Sequence, residues 1–133
     1  MLQRWYVSMF RKAAHEEAGG VTLQRIITEF GSGNDLHGGD YTKAAVRAVQ
    51  DAIHHSSLSL IRSLAVDARA MQVEVTIGVQ RPAEIRAETV KAALPHGQVT
   101  VRIVKGGLDV PDEATGDVAV IASAAVTVRL DLA

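Results

Sequence analysis

The chain has 133 residues, 47% hydrophobic and 22% charged, the size and composition of one globular domain rather than a disordered tail or a fibre. Fourteen Lys and Arg against fifteen Asp and Glu leave a net charge of -1, so there is no bulk positive field to hold nucleic acid or an anionic membrane. With no cysteine, disulfides, thiolate nucleophiles and cysteine-based metal sites are excluded, and any metal must be held by His, Asp or Glu.

Residues 1–20 read as a helical extension ahead of a single α+β domain over 21–133. Trp5, Met9 and Ala13 follow a helical spacing, Tyr6 and Phe10 widen the stripe, and Gly19-Gly20 ends it. The apolar stretch is too short for a secretory signal, because Arg11, Lys12, Glu16 and Glu17 follow at once. Two destinations are open for this helix: its own domain or another subunit.

Arg25 to Phe30 is β-branched and aromatic and predicts a first strand. From Asp40 the period changes, with Ala45, Val49, Ala52 and Ile53 on one face, so an amphipathic helix begins there with Asp40 or Thr42 as its cap. The stretch from Leu58 to Ala70 is an undecided connection. Val73, Val75, Ile77 and Val79 alternate with polar residues as a second strand. Pro82 opens a second helix over Ala83 to Leu94 with a thin apolar face, and Val99, Val101 and Ile103 mark a third strand. Leu108 to Gly116 reads as a turn-rich loop. Val118 to Leu130 is apolar on both faces and predicts an interior strand. The expected fold is therefore α+β: an N-terminal helix, then β-α-β-α-β-β, giving a mixed four-stranded sheet with helices on one face. The longest apolar run is nine residues, Val118 to Val126, too short to span a bilayer as a helix. With no targeting signal, cytoplasm is the expected compartment.

The unusual segment is Gly31-Ser32-Gly33-Asn34-Asp35-Leu36-His37-Gly38-Gly39-Asp40, with four glycines in nine residues. Read as a loop, it offers close backbone approach to a ligand at Gly31, Gly33, Asn34, Gly38 and Asp40. The third glycine of a dinucleotide fingerprint is missing. Asp35 and His37 stand two residues apart, so extended backbone would bring a carboxylate and an imidazole to one point. Such a pair could hold Zn²⁺ or another divalent metal, or act as base and orienter, with Lys43 at the helix start assisting. Asp35 as a turn acceptor and His37 bonded to backbone is the equally simple structural alternative.

The span from about Leu23 to Val128 resembles an uncharacterised family of bacterial and plant proteins with the signature GxGxDxHG, matched by Gly31, Gly33, Asp35, His37 and Gly38. The element order resembles the Bacillus chorismate mutase-like fold of the YjgF-type proteins, which implies a homotrimer with sites between subunits. The motif is also similar to that of methylerythritol cyclodiphosphate synthase, where the Asp and His bind a divalent metal with a helix His. Here that third position falls near Ala44, so the ligand would have to come from His54, His55, His96 or a neighbouring subunit. Cyanuric acid hydrolase and barbiturase, whose domains resemble the YjgF fold, suggest a pairing of Lys43 with Ser123. Two readings follow: a small-molecule enzyme of hydrolase or lyase type using Asp35, His37 and Lys43, or a non-catalytic ligand-binding or regulatory oligomeric module. A third polar group converging on Asp35 and His37 would separate them.

Overall fold

A computed structural model describes residues 23–54, 71–94 and 97–131. The predicted helix over 1–20, the connection over 58–70, His55 and His96 lie outside the described residues.

The elements are β1 (Leu23–Asp35), α1 (Tyr41–His54), β2 (Gln72–Val79), a 3-10 turn (Pro82–Glu84), α2 (Ala87–Ala92), β3 (Gln98–Lys105), β4 (Leu108–Pro111) and β5 (Val118–Asp131). The strand order is β1-β5-β2-β3, with β4 also paired to β5. Only β2 and β3 run parallel, and β5 is antiparallel to β1, β2 and β4. The mixed α+β sheet is as expected, but it has five strands rather than four. The added strand comes from the segment read as a loop: Leu108 and Val110 stand opposite Ile121 and Ala119. The long two-sided strand β5 lies between β1 and β2, so those two are not neighbours despite the helical crossover between them.

Both helices pack on one face. From α1, Ala44, Ala45, Ala48, Val49 and Ala52 are fully buried. Below them lie Val73, Val75, Ile77 and Val79 of β2 and the even-numbered residues of β5 from Val120 to Leu130. The second helix is shorter than its composition suggested. The 3-10 turn ends in extended backbone at Ile85 and Arg86, and the Arg86 N–H is donated to the Thr42 hydroxyl at 3.1 Å. Val90 is the one buried residue of α2, which is the thin apolar face seen in the sequence.

The opposite face carries Thr28, Phe30, Ser32 and Asn34 of β1, the odd-numbered residues of β5, and Leu108 and Val110 of β4, and no described helix covers it. Phe30 is 70% exposed, Leu108 53% and Val110 48%. No helix among the described residues is long and apolar enough to cross a membrane.

Candidate functional site

The first half of the glycine-rich segment is strand, not loop. Pairing with β5 continues through Gly31, Gly33 and Asp35, opposite Ala124, Ala122 and Val120. Gly31 and Gly33 face α1, and the contact is backbone to backbone. A Cβ at Gly33 would lie 2.3 Å from the Ala48 nitrogen and 2.4 Å from the Ala44 oxygen; one at Gly31 would lie 2.3 Å from the Ala48 oxygen. Ala44, Ala48 and Ala52, four residues apart, supply the matching small face of the helix. The glycines expected to approach a ligand therefore form the seat of α1.

Asp35 ends the strand, buried on the helix side. Its Oδ2 accepts the Asp40 N–H at 2.9 Å, and its Oδ1 lies 3.7 Å from Lys43 Nζ and 3.9 Å from Arg47 Nη1. Asp40 is the helix cap: its Oδ1 accepts the Lys43 N–H at 3.1 Å and its carbonyl accepts the Ala44 N–H. Two further α1 side chains reach the outer edge of β1. Arg47 donates to the Asn34 carbonyl at 2.7 Å, and Asp51 accepts the Ser32 N–H at 2.9 Å. These bonds occupy backbone groups that an edge strand would otherwise present for pairing.

Beyond Asp35 the chain bends, with left-handed backbone at Gly38 (φ 90°) and Gly39 (φ 61°). His37 is consequently turned outward, with its side chain 87% exposed and Nδ1 3.1 Å from Asp117 Oδ2. Asp117 also accepts the Gly38 N–H at 3.0 Å and the Val118 N–H at 2.9 Å. These two backbone donors, and then His37, hold the Asp117 carboxyl below the usual carboxylate range.

The expected convergence of Asp35 and His37 is thus not what the backbone gives. Extension stops at Asp35, so the alternation that would align the two side chains does not continue to His37. Asp35, Asp40 and Lys43 do come together, joined by Arg47, while His37 and Gly38 join Asp117 instead. His54 ends α1 some 20 Å of helix away from its first turn. Lys43 is on the helix side of the sheet and Ser123 on the uncovered side, so the sheet separates that suggested pair. Among the described residues no group of three or more His, Asp or Glu is arranged to hold a metal.

A further polar pair was not anticipated. Asp35, Val120 and Asp109 form one row across β1, β5 and β4, which puts the Cα atoms of the two aspartates about 10 Å apart on the helix side of the sheet. The Tyr41 hydroxyl donates a very short hydrogen bond to Asp109 Oδ2. Burial first, then the bond to Asp109 and its negative charge, push the Tyr41 hydroxyl up to about 12. Asp109 Oδ1 is buried and has no hydrogen-bond partner among the described residues. The sequence signal for Asp109 was the alternation Leu108-Asp109-Val110, which turns its side chain to the helix face once that segment is a strand.

The family model for a conserved hypothetical protein (Lin0512_fam) matches residues 25–128. A solved structure, an FtsZ-like protein of unknown function from Nostoc punctiforme, is similar with a TM-score of 0.73 and 37% identity, over 84% of this chain and 99% of that one. No curated protein matches. This chain, then, belongs to the conserved hypothetical family Lin0512_fam, and most of its length is the family's α+β fold.

Proposed function

We propose that the chain acts as a non-catalytic binding or regulatory module in the cytoplasm, a homotrimer whose copies meet through the uncovered sheet face. A small polar ligand would lie at the rim formed by His37, Gly38 and Asp117. The observation that carries this reading is the divergence of the motif. Gly31 and Gly33 seat a helix, Asp35 and Asp40 fasten its start, and His37 points elsewhere. A hydrolase or lyase built on this motif needs Asp35 and His37 on one reacting atom or one metal, and each is instead engaged by different partners. The Nostoc punctiforme relative is described as FtsZ-like and of unknown function, and supplies no reaction.

Assembly is supported by the apolar end of the uncovered face, where Leu108 and Val110 lie beside Ile121 and Ala119. Three copies is the number that the resemblance to chorismate mutase-like folds implies. Sedimentation equilibrium at micromolar concentration tests it. Wild type is expected at three times the mass of one chain, and Val110→Asp at one, with unchanged far-UV circular dichroism. A wild-type mass of a single chain would overturn the proposal.

A further inference from the structure

The uncovered face changes character along its strands. At the β4 end it is apolar, whereas at the far end two polar rows cross the sheet. Gln98 of β3, Gln72 of β2, Arg129 of β5 and Arg25 of β1 stand side by side in register. The next row on the same face holds Thr100, Glu74 and Thr127. Arg129 leans diagonally across to Glu74 and donates from Nη1 to Oε2 at 2.8 Å. From Ile121, opposite Leu108, to Arg129 is about 27 Å of strand, so this end is separate from the patch assigned to the contact between copies.

The rows are not flat. Gln72, Glu74, Gln98, Thr100 and Arg129, with Val73, enclose a cavity of about 190 Å³. Drug-sized ligands occupy roughly 300–1,000 Å³, so this volume suits a molecule of amino-acid size. Apart from Val73 the lining is polar, and a ligand must be held by charge and hydrogen bonds rather than by apolar burial. The Arg129–Glu74 bond uses one of five guanidinium N–H donors and one of two carboxylate oxygens, and both side chains are partly withdrawn from water. An anionic and a cationic group of one ligand can therefore be met side by side while the pair stays intact. Arg25 adds positive charge on the β1 side of Arg129. On the β3 side stand the Gln72 and Gln98 amides, each both donor and acceptor, where a polar side chain would lie.

We propose that this cavity binds a free α-amino acid with a short polar side chain, its carboxylate on Arg129, its ammonium on Glu74 and its side chain against Gln72 and Gln98. The site is separate from the rim at His37 and Asp117 and does not depend on the assembly of copies.

Isothermal titration calorimetry of the full-length protein with L-serine, L-asparagine and L-glutamine tests it. At least one of the three should bind, at one per chain and more tightly than L-leucine. Its N-acetyl derivative, which lacks the ammonium, should bind about tenfold or more weakly. Arg129→Gln and Glu74→Gln should each weaken binding by a similar factor with unchanged far-UV circular dichroism, and Gln98→Ala serves should those variants not fold. His37→Ala and Val110→Asp should bind as wild type does. No binding of any of the three up to about 10 mM, equal binding of the N-acetyl derivative or of L-leucine, or binding unmoved by every folded cavity variant would overturn the proposal. So would loss of binding in His37→Ala, since that places the ligand at the rim.

Discussion

Gly31 to Asp35 and Leu36 to Gly39 are adjacent in sequence and hold two glycines each, yet they meet different surroundings. The first five residues are an extended strand pressed against the backbone of α1, and Asp35 is buried at its end. The next four bend away at the rim, where Leu36 and His37 are exposed and Asp117 ties the turn to β5. Glycine serves opposite ends in the two halves: in the first it removes a side chain from a contact, and in the second it permits a left-handed turn. The same motif letters thus encode a packing requirement and a turn.

Substitutions rank this contrast. Gly33→Val places atoms inside the Ala44–Ala48 backbone and should cost about 4 kcal/mol or more, at the extreme for one residue, read as loss of the folded circular dichroism signal. Tyr41→Phe deprives half-buried Asp109 of its donor and should cost about 1–3 kcal/mol in urea unfolding. The same residue sets an alkaline dependence. The Tyr41 hydroxyl titrates near 12 in the folded chain and at the usual 10.0 when unfolded, so stability is full below pH 10 and falls as pH rises toward 12. This alkaline loss should vanish in Tyr41→Phe. Asp40→Ala removes the helix cap, at about 1 kcal/mol. His37→Ala should be smallest, within about 0.5 kcal/mol, because the contact it loses is exposed. The Asp117 clasp is present above its unfolded value of 3.8 and weakens as pH falls through its lower folded value, a dependence that Asp117→Asn removes. A His37→Ala variant less stable than Gly33→Val would reverse the assignment of the two halves.

Much of the fold was legible because burial imposes a period. β2 shows the alternation of its sequence, and β5, apolar on both faces, lies inside the sheet with strands on either side. The helix from Asp40 was readable from its small and apolar face and its cap. Three features were hidden. Gly31 and Gly33 look the same whether a ligand or a helix backbone approaches them, and only the position of Ala44 and Ala48 decides. β4 is four residues long and ends in Pro111, too short for its alternation to stand out from a turn, so Asp109 and its bond to Tyr41 were lost with it. The partnership of His37 with Asp117 joins residues 80 apart in sequence, which local spacing does not reveal.

The most direct test of the account is elemental analysis by mass spectrometry on protein purified without chelator or affinity metal, comparing wild type with Asp35→Asn and His37→Ala. If Asp35 fastens α1 and His37 only closes the rim, none of the three carries near-stoichiometric metal. One metal per chain in wild type, lost in both folded variants, would mean that Asp35 and His37 do act together, and would contradict the division of the motif at Asp35.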